Sequence, residues 1–222
     1  MSDSIIFEQP LNEKCRTLLR LANLFEQLEF HAPHEQAWHT QATLNTLLDI
    51  ASVLSRSDIK SELLKEMEHY RVALSRIISN PQLDKDRLQH VLQDIQQSQQ
   101  ALQSTQGKLG QALRTSEFLS NIQQRKAIPG GACNFDLPQL HAWLEQPHSE
   151  RLLQFDDWRN EISPVHEAVE LLLNLIRSST VFSPVQAKNG FFQQNLPSNL
   201  LVQMLRVSIP KEKNLYAEIS GG

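Results

Sequence analysis

Apolar residues recur every three or four positions over most of the chain, the spacing of helices that bury one face. The first few residues differ: Ile5-Ile6-Phe7 reads as a short strand ended by Pro10. From there Leu11, Cys15, Leu18, Ala22 and Phe25 fall on one stripe and predict a helix to about Glu29. Pro33 marks a loop, and Trp38, Leu44, Leu47, Leu48, Ala51 and Leu54 predict a second helix over 36–54. Ser57-Asp58 supplies an N-cap for a third, whose Ile59, Leu63, Met67, Tyr70, Leu74 and Ile77 approach a heptad seam. Asn80-Pro81 breaks it. A fourth helix begins near Asp84 and carries Leu88, Val91, Leu92, Ile95 and Leu102.

The third and fourth helices form an antiparallel hairpin on this reading. The apolar-poor run 96–100 fits an arm projecting into solvent, and it equally fits the frayed end of a compact bundle. Leu109, Leu113, Phe118, Leu119 and Ile122 predict a fifth helix ending near Arg125-Lys126, where basic residues oppose the negative pole of the helix dipole. Ile128-Pro129-Gly130-Gly131 is the strongest break. A short helix over 136–145 follows, then two more over 148–162 and 164–177, separated at Pro164. Beyond Ser178-Ser179, Asn189-Gly190 beside Phe191-Phe192 gives a hairpin signal. Leu201, Leu205, Val207 and Ile209 predict a strand, 211–214 a turn, and 215–219 a last short strand. The fold class is therefore mainly α with a small antiparallel β unit (α+β), a helical bundle with a projecting hairpin. A strand at 1–10 joins the β unit, 11–178 forms the helical domain, and 179–222 forms the small β domain.

Composition narrows the function. Only 7 glycines among 222 residues leave little material for phosphate-cradling loops. A formal net charge of -4 lacks the basic surplus of nucleic-acid binders. Cys15 and Cys133 lie far apart, which predicts neither a disulfide framework nor a zinc site. The acidic start and the absence of a membrane-length apolar run predict a reduced cytosolic protein without a signal peptide.

No catalytic constellation emerges, and the chain reads as a non-enzyme without cofactor or metal. Gly107-Lys108-Leu109-Gly110 lacks phosphate-loop spacing. His34 and His39 sit one residue too far apart for a HExxH motif, and in a helix they point to different sides. His31, His34 and His39 are read as surface histidines rather than ligands in a loop. His166 and Glu170 share i, i+4 spacing but read as surface polar groups. Cys15 falls on an apolar stripe, where a thiol packs as a small hydrophobe. The positive signal is basic: Arg16 and Arg20, four apart, stack on one helix face. Arg56 and Lys60 form a similar pair, and Arg114 and Arg125 add charge to the fifth helix. Each is individually explained as a solvated residue satisfied by carboxylates such as Glu13 and Glu26; a binding role requires several to converge.

The opening Phe7-Glu8-Gln9-Pro10-Leu11-Asn12-Glu13-Lys14, with Arg16-Thr17 and Leu19-Arg20, resembles the N-terminus of the ZapD family. So do Glu62-Leu63-Leu64-Lys65-Glu66, the stretch Ile128-Pro129-Gly130-Gly131, Cys133, Phe135-Asp136-Leu137-Pro138, Leu140-His141 and Trp143-Leu144, and the C-terminal Asn189-Gly190-Phe191 and Ile219-Ser220-Gly221. The resemblance runs through the whole chain in order. It implies a symmetric homodimer, acting at the midcell division site, that binds the C-terminal tail of FtsZ and bundles its filaments. It further implies a basic pocket, whose residues match Arg16, Arg20, Arg56 and His141 here; Arg114 is added on charge grounds. Family members carry further basic residues in a strand after the Ile-Ser-Gly segment, whereas this sequence stops at Gly222, so an incomplete β unit is expected. Glu117 stands where some members have a basic residue. The competing expectation is a helical scaffold that grips another partner through the hairpin of its third and fourth helices.

Overall fold

The computed structural model describes residues 4–55, 58–78, 83–196 and 202–220. Among them the chain runs β1 (Ser4–Pro10), α1 (Glu13–His31), α2 (Ala37–Ser55), α3 (Ile59–Ile77), α4 (Lys85–Ser104), α5 (Gln111–Thr115), α6 (Glu117–Lys126), α7 (Pro138–Leu144), α8 (His148–Ser178) and β2 (Met204–Pro210). The fold is mainly α with a small antiparallel sheet, as the periodicity requires. Two compact units divide it, one made of Met1–Leu19 with Leu173–Gly222, the other of Arg20–Leu172. Helices α1 and α8 contribute residues to both.

In the Arg20–Leu172 unit the core draws on every helix. Leu21, Phe25 and Leu28 of α1, Leu44, Leu47 and Ile50 of α2, Leu63 and Met67 of α3, and Ile95 and Leu102 of α4 are buried. The caps act where the sequence puts them: Asp58 accepts from the Ser61 amide and Asp84 from the Arg87 amide at 3.0 Å. Helices α3 and α4 pack as a hairpin, tied at its base by Lys60 Nζ donating to the Thr105 carbonyl at 2.7 Å. From Glu68 to Ile77 no side chain is buried, so the outer part of the hairpin has little core to hold it.

Two expected boundaries move. The single fifth helix is divided into α5 and α6 at Ser116, whose backbone is extended (φ -66, ψ 117) and whose hydroxyl accepts from the Leu119 amide. Serine satisfies a helix start better than a helix middle, and here that local bond wins over the continuing apolar pattern. Conversely, Pro164 does not separate two helices but lies inside the 31-residue α8. The missing N–H and the ring cost about 3 kcal/mol. Phe155, Trp158, Ile162, Val165, Val169 and Leu172, however, stay on one buried stripe across it. Each such side chain gains about 1.5–3 kcal/mol on burial, so packing holds the helix through the proline.

In the other unit β1 pairs antiparallel with β2, Ser4 opposite Pro210 through Pro10 opposite Met204. Asn189 and Gly190 adopt the left-handed φ values (52 and 81) of the expected turn. Lys188 and Phe191 exchange two hydrogen bonds of 3.0 Å across it, yet the ladder stops at that single bridge. All residues of 181–196 are exposed, so no buried face extends the pairing. The strand expected at 215–219 is likewise absent among the described residues, where Leu215 and Tyr216 are exposed. Leu201, expected in the preceding strand, lies outside the described residues.

Opposite one another in the ladder, Glu8 and Arg206 anchor a charged clasp. The Glu8 carboxylate accepts from Arg177 at 2.9 and 2.7 Å and from Arg206 at 3.0 Å. Arg206 also donates to the Arg177 carbonyl at 3.1 Å and lies over the Phe182 ring, 5.0 Å from its centre. Burial alone pushes the Glu8 carboxyl up, but the hydrogen bonds and charge of Arg177, joined by Arg206, hold it below its ordinary 4.5. A depressed carboxylate stabilises the fold above its unfolded value, and that contribution disappears as pH falls through the folded value. Glu8→Gln is therefore expected to cost about 1–2 kcal/mol at pH 7, modest because the arginines are partly solvated. The gap between the urea midpoints of wild type and variant is expected to close on acidification below about 4.5.

Candidate partner-binding site

The start of α1 is fixed by Asn12, whose side-chain oxygen accepts from the Cys15 amide at 2.8 Å. That phase buries Cys15, Leu18, Leu21, Phe25 and Leu28, and turns Arg20 outward. Arg16 is half-buried and pairs with Glu13 three residues earlier, with side-chain exposures of 39% and 76%. A surface pair of this kind is worth about 0–1 kcal/mol and leaves the guanidinium recruitable. Arg20 has no carboxylate within ion-pair distance among the described residues.

Arg114 sits half-buried on α5, which packs against α2 and α6. It too has no carboxylate partner among the described residues. Glu161 fixes α5 by accepting from the Ala112 amide at 2.7 Å. His141 is exposed on α7, between the buried Leu140 and Trp143, and the Trp143 indole donates to Gln154 at 2.6 Å. Arg16 and Arg20 thus share one helix, and Arg114 and His141 stand on helices that both pack against α6. Arg56 lies outside the described residues.

The basic end of α6 is differently placed. Lys126 is engaged by Asp49 at 2.6 Å and by the Asn45 carbonyl at 3.2 Å. Arg125 approaches Asp136 at 3.7 Å across the loop to α7. That loop turns at Gly131, where a Cβ would come within 2.5 Å of the Arg125 carbonyl oxygen. Cys133, unplaced by the sequence, donates its thiol to Asp136 at 3.2 Å. Partial burial and the Asp136 carboxylate push that thiol up, away from the thiolate a nucleophile needs.

The histidines depart from expectation. His34 precedes α2 rather than lying in it, so the opposite-sides argument fails, and its ring stacks on His39 at 4.2 Å. His31 and His39 bring their Nδ1 atoms to 2.8 Å, one donating to the other. Burial, then the neighbouring imidazoles of His34 and His31, hold His39 below its ordinary value. Even so, no three metal-ligating side chains are placed to hold an ion among the described residues. His166 is half-buried mid-α8, stacked on Phe25 at 4.3 Å between Glu29 and Glu170.

One polar residue escaped the sequence reading altogether. Arg151, in the first turn of α8, is 5% exposed and donates to Thr40 Oγ1 and to the Glu35 carbonyl, each at 2.9 Å. A lone arginine near a helix start carries no sequence signal of burial.

Comparison with known proteins adds two findings. A family model described as "ZapD: Cell division protein" matches residues 19–222. A protein of Methylococcus capsulatus (strain Bath), named "Cell division protein ZapD", is 38% identical over 221 residues, covering 100% of this chain and 87% of the relative.

Proposed function

We propose, from the premise that this chain belongs to the ZapD family of cell division proteins, that it is a non-enzymatic cross-linker of FtsZ filaments. It binds the C-terminal tail of FtsZ through Arg16, Arg20, Arg114 and His141, with Arg56 as a further contact, and it bundles filaments as a homodimer. The observation that supports this most is the pair of arginines, Arg20 and Arg114, with no carboxylate partner among the described residues of a chain whose net charge is -4. Unneutralised guanidiniums on an otherwise acidic protein suit an anionic peptide, and their aliphatic stems suit its apolar side chains. One tail contact of this kind is weak. Two on one dimer make the second contact intramolecular, and avidity on a polymer lattice raises affinity by orders of magnitude without chemistry. The protein acts in the cytoplasm at midcell, with no nucleic acid, membrane or cofactor. No helix among the described residues is long and apolar enough to cross a membrane.

The test is co-sedimentation. FtsZ filaments are expected to carry the protein into the pellet and to thicken under the electron microscope, less so as salt rises. Filaments of FtsZ lacking its C-terminal tail are expected to leave it in the supernatant; equal pelleting with both would remove the reading.

A further inference from the structure

A groove lies between α6 and the start of α7, wholly within the Arg20–Leu172 unit. Its volume is about 210 Å³, open on one side, and it is lined by Phe118, Ile122, Arg125, Asp136, Leu137 and Leu140 among others. Ile122, Leu137 and Leu140 are buried and give it an apolar wall set by the core. At its edge Arg125 is under-used. The side chain is 46% exposed, and its guanidinium meets Asp136 Oδ1 only at 3.7 Å, beyond hydrogen-bond reach. Asp136 Oδ2 is meanwhile occupied by the Cys133 thiol. Arg125 therefore keeps a planar set of donors free for a second carboxylate. Phe135, next to Asp136 in the chain, is 82% exposed, an unusual position for a phenylalanine with nothing to meet.

We propose that this groove is a specificity subsite for the FtsZ tail: it takes one apolar side chain of the peptide, while Arg125 takes a carboxylate beside it. The inference rests on the reading of the partner given above and adds a second contact to it. The arginines of α1 supply charge, which any acidic peptide satisfies; a shaped apolar recess next to a donor fork distinguishes one sequence from another. An open groove of this size fits a peptide side chain better than an enclosed small molecule.

The experiment is fluorescence-anisotropy titration of a labelled FtsZ tail peptide against the full chain and two variants, Gln139→Trp and Arg125→Ala. Gln139 lines the groove but is exposed, so tryptophan there fills it without touching the core. Gln139→Trp is expected to weaken binding about tenfold with the salt dependence unchanged, because it removes apolar contact and no charge. Arg125→Ala is expected to weaken it about fivefold and to flatten the salt dependence, which a merely structural role of Arg125 would not do. Thermal melts close to wild type are expected for both. Wild-type affinity or an unchanged salt slope for Arg125→Ala, or wild-type affinity for Gln139→Trp, overturns the subsite while the partner assignment stands. A wild-type chain that fails to bind the peptide overturns both.

Discussion

A chain carrying Arg16→Glu and Arg20→Glu together is expected to fold normally and to lose FtsZ bundling. Both positions lie in the N-terminal half of α1, and residue 16 is close to its first turn, where a carboxylate is favoured by the helix dipole and costs the helix little. The lost Arg16–Glu13 pair is exposed and contributes at most about 1 kcal/mol. Binding should respond far more. Each substitution replaces an attraction to an anionic tail by a repulsion, and about tenfold per site corresponds to only about 1.4 kcal/mol. On a two-site assembly the loss compounds toward a hundredfold, because both contacts weaken together. Circular dichroism should be unchanged, and sedimentation with filaments should fall to background at physiological salt. The neutral pair Arg16→Gln and Arg20→Gln should lie between. Bundling at wild-type level by the charge-reversed chain would remove α1 from the binding surface.

The largest stability effect is expected from Arg151→Ala, about 3 kcal/mol of destabilisation. The guanidinium is buried and bonds two neutral oxygens, Thr40 Oγ1 and the Glu35 carbonyl, with no carboxylate at ion-pair distance among the described residues. Alanine leaves both oxygens without their donor and opens a cavity, and each of these costs about 1–3 kcal/mol. Relief from burying a charge offsets part of that sum. Arg151→Met keeps the volume and loses the fork, so it separates packing from hydrogen bonding. Arg151→Lys should fall short of wild type, because an ammonium cannot reproduce two diverging donors. The urea midpoint should fall with an unchanged slope, the sign that stability and not compactness has altered. If Arg151→Met were as stable as wild type, the bonds to Thr40 and Glu35 would be dispensable.

How legible was this in the sequence? Where a cap and an apolar stripe coincide, as at Asp58 before Ile59, Leu63 and Met67, position and type of the helix were both readable. Local rules failed where tertiary packing outweighs them. Pro164 signals an end, but the stripe that decides the matter spans residues on both sides of it. Ser116 shows the reverse, a local hydrogen bond strong enough to interrupt an apolar pattern. At Asn189-Gly190 the turn was readable because it depends on two residues' φ preferences; the strands beside it depend on a burial that the sequence does not guarantee. The candidate site divides in the same way. Arg16 and Arg20 follow from helical spacing alone. Arg125 with Asp136, Cys133 with Asp136, and Arg151 with Thr40 all depend on loop geometry or on pairings between distant segments, for which no local pattern exists.

The β1–β2 ladder has a consequence for biosynthesis. Glu8 finds Arg206 at a sequence separation of 198. At a synthesis rate of about 5–20 residues per second, β1 leaves the ribosome roughly 10–40 s before its partner exists. The residues from Arg20 to Leu172 are all made in that interval, so their helices can assemble while the N-terminal strand waits with an open edge. Closure of the sheet is then a post-translational event, and a nascent chain stalled before residue 204 should expose residues 4–10 to proteases that the finished protein resists.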